Sequence, residues 1–249
     1  MRQPGGALTR TAVLHYHLFK NAGTSVDQML QSHFGAAWVT AEFPMENNDN
    51  SAAVEAWITA TPEAGAFSSH TMVGPIPQPA GVEVVPVVLL RDPIRRIASA
   101  YRFERNQVAE TWGAQLAKAH DLEGYVRARL ARPGDRQCRN FQVARLASLC
   151  PGPGGELSRA KTALEAIREA GVIGLVEDFE GFTRALTARL APVFAGFAPE
   201  IAHANTTDAG EANAASANAG VGLGPLLREA NREDAALIAH AAALLGPAG

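Results

Sequence analysis

The stretch that decides the fold runs Thr11-Ala12-Val13-Leu14-His15-Tyr16 and continues His17-Leu18-Phe19-Lys20-Asn21-Ala22-Gly23-Thr24-Ser25. The first part is an apolar run of strand length. The second reads as a tight turn with one lysine, and behind it Val26, Leu30 and Phe34 recur at helical spacing. A strand, a turn and a helix start in that order make an anion-binding site. Backbone N–H groups at the start of the helix point at the ligand, the hydroxyls of Thr24 and Ser25 add donors, and Lys20 adds a full charge. Lys20 is one of three lysines, with Lys118 and Lys161, in a chain that otherwise uses arginine. A compact, flexible point charge is what lysine offers there and arginine does not. A surface lysine in an ordinary strand–helix turn has the same letters, so the motif needs support from elsewhere.

A second run supplies it. Val82–Leu90 is apolar and rich in valine, and it ends in Arg91-Asp92-Pro93-Ile94-Arg95-Arg96-Ile97-Ala98-Ser99-Ala100-Tyr101-Arg102-Phe103. Aspartate followed by proline is a good helix start. Arg91 then stands at the carboxyl end of a strand, where ligands of open α/β sheets bind. Along the helix Ile94, Ile97, Ala98 and Tyr101 form a core stripe, while Arg95, Ser99 and Arg102 share another face. Two anion-binding helix starts behind two strands of one sheet suit a ligand with phosphates at both ends.

The remaining chain agrees with a layered α/β fold. Val172–Val176 is a third long apolar run, and Ala66–Ser69 is a shorter candidate strand. Helical periodicity extends over Pro93–Arg105, Leu122–Leu130, Asn140–Leu149, Leu157–Ala170, Phe179–Phe194 and Pro225–Leu245. The stretches 74–81 and 151–155, dense in glycine and proline, are loops. Ala202–Gly224, rich in Ala, Asn, Gly and Ser, reads as a flexible segment or a loop ordered by ligand. The 249 residues suffice for a sizeable core, and 47% apolar against 19% charged residues excludes a disordered chain.

The net charge of −3 gives no global argument for nucleic acid, but it conceals a basic middle third. From Arg91 to Arg145 there are eleven Arg and one Lys against six acids, which suits an anionic ligand. Cys138 and Cys150 have no metal-ligand spacing and are too few for a disulfide framework, so free thiols in a reducing compartment are expected. No run has membrane-span length and Met1–Arg10 lacks a signal-like apolar core, which gives a cytoplasmic expectation. His15 and His17 alternate on one strand, yet no acidic or third histidine ligand lies near them in sequence. No metal is expected there, and His17 is expected to pack beneath the loop.

The two segments resemble the signature elements of sulfotransferases that use 3′-phosphoadenosine 5′-phosphosulfate (PAPS). The similarity is to the carbohydrate branch, with its bacterial members and the heparan sulfate O-sulfotransferases. That family carries a loop like H-x-P-K-[TN]-A-G-T-S and a segment R-D-P-x-x-R-x-x-S-x-Y. Phe19 departs from it, standing where the family has proline. Weaker similarities follow in the family's order: Asn140-Phe141-Gln142-Val143-Ala144-Arg145-Leu146, Gly174-Leu175-Val176-Glu177-Asp178-Phe179, Asn205-Thr206-Thr207 and Asn231-Arg232-Glu233-Asp234.

The resemblance implies one sulfotransferase domain over residues 1–249, built on a single open parallel sheet with helices on both faces, the P-loop-like nucleotide-binding sulfotransferase fold. It implies PAPS as the donor co-substrate, without a metal. Lys20, Asn21, Ala22, Gly23, Thr24 and Ser25 would hold the 5′-phosphosulfate, and Arg91 and Ser99 the 3′-phosphate. Lys20 would also act in catalysis, with His70, after the strand Ala66–Ser69, as the base that deprotonates an acceptor hydroxyl. The implied partner is a carbohydrate acceptor, with neither nucleic acid nor a transmembrane segment. Two rival readings stand beside it. An ATP-dependent small-molecule kinase would want G-x-x-x-x-G-K-[ST], whereas Lys20 here precedes Gly23. A non-catalytic module for nucleotides or anionic glycans would keep Arg91 and Ser99 without needing Lys20 and His70.

Overall fold

Strand β1 (Arg10–Tyr16) is the middle of the sheet, and its apolar run reflects burial on both faces. The structure, a computed structural model, describes residues 10–199 and 223–246. After β1 come α1 (Gly23–Phe34), β2 (Trp38–Thr40), α2 (Ser51–Ala60), β3 (Ala66–Ser69) and β4 (Val82–Leu90). Next are α3 (Pro93–Asn106), α4 (Trp112–Ala119), α5 (Leu122–Leu130), α6 (Phe141–Ala147) and α7 (Glu156–Ala170). The chain continues through β5 (Val172–Leu175), α8 (Phe179–Leu190), α9 (Leu223–Ala230) and α10 (Arg232–Leu245). The strands form one open five-stranded sheet of order β2-β3-β1-β4-β5, with every pairing parallel.

Helices flank the sheet. Ala12, Leu14 and Tyr16 of β1 join a core with α2, α6, α7 and α10, while Val13 joins a second core with α1 and α8. A third apolar cluster, around Ile97, Tyr125, Val126 and Leu227, ties α3, α4, α5 and α9 together. Pro86 sits inside β4, where a ladder donor is missing. It is tolerated because pairing with β5 begins one residue later, at Val87 opposite Val172. Gly171 passes so close that a Cβ there would fall 1.9 Å from the Pro86 carbonyl oxygen.

The α/β class and four of the strands match the expectation from periodicity. Strand β2 has only three residues, too few to show a period. Helix α4, outside the expected helices, begins at a Thr111 cap, whose Oγ1 accepts from the Ala114 N–H at 3.3 Å. Helix α8 stops at Leu190 rather than running to Phe194, since Pro192 follows two residues on, after the cap Ala191. The Ala202–Gly224 segment, with Asn205-Thr206-Thr207, lies outside the described residues except for Leu223 and Gly224, which open α9. Among the described residues no helix is long and apolar enough to cross a membrane.

The expected helix Pro225–Leu245 breaks at Asn231, and the break has a purpose. The Asn231 side chain donates to the Cys138 and Leu227 carbonyls, both at 2.9 Å, and accepts from the Asn140 N–H at 3.1 Å. Asn140, with φ 40°, in turn accepts from the N–H groups of Glu233 and Asp234 at the start of α10. Asp234 reciprocates at the start of α6, accepting from the N–H groups of Val143 at 2.8 Å and Gln142 at 3.2 Å. Each helix thus caps the orphan donors of the other. Burial raises the Asp234 carboxyl, against the N–H donors and the Arg96 guanidinium that pull it down. Arg96 is itself fully buried, donates to the Gln137 carbonyl and lies 4.4 Å from the Phe141 ring centre.

Asp234→Ala strands two buried N–H groups and is expected to cost about 2–4 kcal/mol. For a chain of this size, the melting temperature should fall roughly 2–4 °C per kcal/mol in differential scanning calorimetry. An unchanged melt would mean that water replaces the exchanged caps.

Candidate active site

The turn between β1 and α1 is strained by design of its neighbours. Lys20 (φ 65°) and Ala22 (φ 56°) both occupy the left-handed region, which costs a residue with a Cβ about 1–2 kcal/mol. Left-handed residues alternating with ordinary ones turn successive backbone N–H groups to one side, a concavity for an anion. Ala22 stands at the N-cap of α1 without a side-chain cap; the Ser25 N–H donates to its carbonyl at 3.0 Å, and the Gly23 and Thr24 N–H groups are left to solvent or ligand.

Buried hydrogen bonds hold this shape. Asn21 is 1% exposed, and its Nδ2 donates to the Leu89 carbonyl and to Gln142 Oε1, both at 2.8 Å. Gln142 Oε1 also accepts from the Arg91 N–H at 2.9 Å, while Gln142 Nε2 donates to the Arg91 carbonyl at 2.8 Å. Arg91 closes the circuit by donating from Nη1 to the Lys20 carbonyl at 3.1 Å. The turn after β1 and the end of β4 are therefore one bonded unit. In the sequence Gln142 stands out only as part of the segment Asn140–Leu146; its part as the clip between two loops is a tertiary contact.

The structure places the expected anion-binding residues around that unit. Thr24 is exposed and Ser25 half-buried on the first turn of α1. The Lys20 ammonium lies 4.7 Å from the centre of the Phe103 ring on α3. Phe19, where the resembling family has proline, meets Phe103 of α3 edge-to-face at 5.4 Å between ring centres. Arg91 and Ser99 are both buried, and Asp92 caps α3 by accepting from the Arg95 N–H at 2.8 Å. Ser99 and Phe103 are four residues apart on α3, so Lys20 rests over the helix face that carries Ser99. Cys138 takes no part, since burial pushes its thiol up to about 12.

On the other side of β1 the site is built from histidines. Asp27, from the first turns of α1, accepts from His15 Nδ1 and His17 Nδ1, both at 2.8 Å, and from Ser68 Oγ at 2.5 Å. The His17 ring packs under the turn, where a Cβ on Gly23 would fall 2.1 Å from His17 Cδ2. His17 then meets His70 at 3.9 Å between ring centres. His70 is exposed, and its Nδ1 lies 2.6 Å from Glu42 Oε1. A carboxylate only accepts, so Nδ1 carries a proton, and in the neutral imidazole the lone pair is then on Nε2. Glu42 also accepts from the His70 N–H and from Thr71 Oγ1, which fixes the turn around the imidazole. Burial alone would raise the Glu42 carboxyl, but His70 and Thr71 hold it below the ordinary range.

Asp27 and Glu42 carry no signal of this role in the sequence. Glu42 lies in an irregular loop with no local signal, and Asp27 meets the two histidines only once α1 folds back on β1. The donor atoms of His15, His17 and Asp27 lie within 4.8 Å of one another, so they form a group able to hold a metal. Their direct contacts of 2.5–2.9 Å, Ser68 included, are hydrogen-bond separations. Ligands at about 2.0–2.1 Å from a tetrahedral zinc would stand roughly 3.3 Å apart. As built, the cluster is a hydrogen-bonded brace beneath the turn.

The brace should register in the pH dependence of stability. Burial lowers the His15 imidazole, so the folded protein keeps it neutral while the unfolded chain protonates at about 6.5. Asp27, which burial would raise, is held well below the carboxylate range by His15 and His17. Its contribution is present above about pH 4 and lost as pH falls further. Thermal melts should therefore lose stability first below about pH 6.5 and again in acid. His15→Asn should flatten the upper limb alone, and an unaltered profile would refute the assignment. Gly23→Ala must displace the His17 ring and is expected to cost about 1–3 kcal/mol in the same melts.

No family model matches the chain. It is 35% identical over 204 residues to a protein of Archaeoglobus fulgidus that bears the name "Uncharacterized protein", with 80% of each chain covered. At that identity and coverage, this chain belongs to the same family as the archaeal protein.

Proposed function

We propose that this protein transfers the sulfuryl group of PAPS to a hydroxyl of a carbohydrate acceptor. One observation carries the reading. Three adjacent parallel strands, β3, β1 and β4, present at their carboxyl ends a histidine–carboxylate pair, a lysine-bearing anion loop and a buried arginine. Ligands of open α/β sheets bind at such ends. The architecture is accordingly read as the P-loop-like fold of nucleotide-binding sulfotransferases, and the basic middle third as the surface that suits anionic ligands.

Each residue then has a task. The N–H groups from Ala22 to Thr24, with the hydroxyls of Thr24 and Ser25, hold the 5′-phosphate, while Asn21, whose N–H is spent on the Leu18 carbonyl at 3.1 Å, shapes the loop rather than binding the ligand. Arg91 and Ser99 hold the 3′-phosphate and thereby discriminate against ATP and AMP. His70 Nε2 takes the proton of the acceptor hydroxyl as its oxygen bonds to sulfur, with Glu42 retaining the Nδ1 proton. The bond from sulfur to the bridging oxygen breaks at the same centre, and the electron pair leaves on the 5′-phosphate of 3′,5′-phosphoadenosine. Lys20 leaves Phe103 to neutralise that oxygen. Positioning and fixed charge carry most of the rate, as they do in phosphoryl transfer.

Calorimetric titration with 3′,5′-phosphoadenosine, beside AMP and ATP and without magnesium, tests the donor site. Micromolar binding of the bisphosphate, much weaker binding of AMP and loss on Arg91→Ala are expected. Binding of magnesium–ATP alone, or no preference over AMP, would overturn the reading. Lys20→Ala should lower kcat by about 10²–10³-fold, a barrier rise of about 2.7–4 kcal/mol on the scale of one oxyanion donor, with a far smaller effect on bisphosphate affinity. Near-normal turnover would remove Lys20 from the mechanism.

A further inference from the structure

Arg145 lies three residues after Gln142 on α6, so the two side chains share one side of the helix. Gln142 grips one half of the site, the Asn21 side chain and both backbone groups of Arg91. Arg145 grips the other. Its Nη2 donates to the His70 carbonyl at 2.5 Å and to the Met72 carbonyl at 3.2 Å. Its Nη1 meets the Met45 sulfur at 2.9 Å. Met45 closes the loop that also carries Glu42, and Glu42 holds the His70 imidazole. One guanidinium therefore fastens both loops on which the histidine–carboxylate pair stands. Arg145 is half-buried, so desolvation lowers its pKa while the Glu42 charge opposes that shift. Three acceptors on two loops call for a planar, several-pronged donor, which an ammonium cannot reproduce.

We propose that Arg145 is a positioning residue for His70. It holds the imidazole against His17 at the edge of the anion loop. Because Gln142 of the same helix holds Arg91 and Asn21, α6 sets the distance between the proton acceptor and the donor-binding groups. The consequence for rate rests on the sulfuryl-transfer reading, whereas the consequence for His70 does not.

The experiment compares the wild-type protein with R145K and R145Q in three measurements. Nitrogen-15 imidazole NMR and the rate of diethylpyrocarbonate modification report His70 directly. Calorimetry reports binding of 3′,5′-phosphoadenosine. Release of sulfuryl from PAPS, to water and to a panel of oligosaccharides, reports kcat and the KM for PAPS separately. In R145Q the His70 resonances should shift and its modification should speed up at least twofold. Bisphosphate affinity should stay within twofold, and kcat should fall tenfold or more at unchanged KM. R145K, which retains the charge and the stem, should recover part of the loss and serves if R145Q folds poorly. Unaltered His70 signals and modification rate in both variants would overturn the proposal. Absence of bisphosphate binding by the wild-type protein would instead overturn the function reading, leaving the His70 measurements to judge Arg145.

Discussion

The side-chain amide of Gln142 is the interaction on which the site depends. Its oxygen accepts from Asn21 and from the Arg91 N–H, and its nitrogen donates to the Arg91 carbonyl. Between them these bonds join the end of β4 to a turn that would not hold its shape alone. Two left-handed residues cost about 1–2 kcal/mol each, and a lysine and an alanine have no local means to offset that. The compensation comes from buried hydrogen bonds, which are strong in low dielectric and costly to leave half made. Removing the amide would therefore disturb the anion loop and the arginine together.

Gln142 is in turn only as fixed as α6, a helix of seven residues. So short a helix has little stability of its own. The reciprocal caps with α10 supply it, through Asn140, Asn231 and Asp234, more than ninety positions apart along the chain. The C-terminal helix thereby reaches the centre of the site without contributing a residue to it. Its buried Asp234, and Arg96 of α3 whose charge faces it, are held at a desolvation cost. That cost is reasonable where the return is a fixed position for Gln142 and, one turn on, Arg145.

What the sequence disclosed and what it withheld divide along physical lines. Strands β1 and β4 are buried on both faces, so their apolar runs stand out, and the helix starts at Gly23 and Pro93 follow directly from them. The Lys20 turn and the Arg91 end are local features, legible because backbone geometry and charge are written in adjacent residues. Glu42 and Asp27 were illegible because their meaning is a tertiary contact. Glu42 acquires it only when the loop after β2 crosses the end of β3, and Asp27 only when α1 packs on β1. The segment around Asn140 and that around Asn231 were visible as patterns, but only their pairing in space shows that they are exchanged caps.

The topology also explains why these groups converge. In a parallel sheet every carboxyl end emerges on the same side, and neighbouring strands stand about 4.8 Å apart. The order β3-β1-β4 consequently sets His70, the Lys20 loop and Arg91 in a row spanning roughly 10 Å. An antiparallel sheet would have sent the middle member to the opposite edge. On the proposed reading the row is also a reaction coordinate. The acceptor proton departs at one end, charge develops over the lysine-bearing loop in the middle, and the remote phosphate is anchored at the other. Binding energy from that remote phosphate can then be spent on alignment at sulfur, where an error of an ångström is costly. A rigid row is what such a transfer requires, and α6, gripping both ends with Gln142 and Arg145, is the element that makes it rigid.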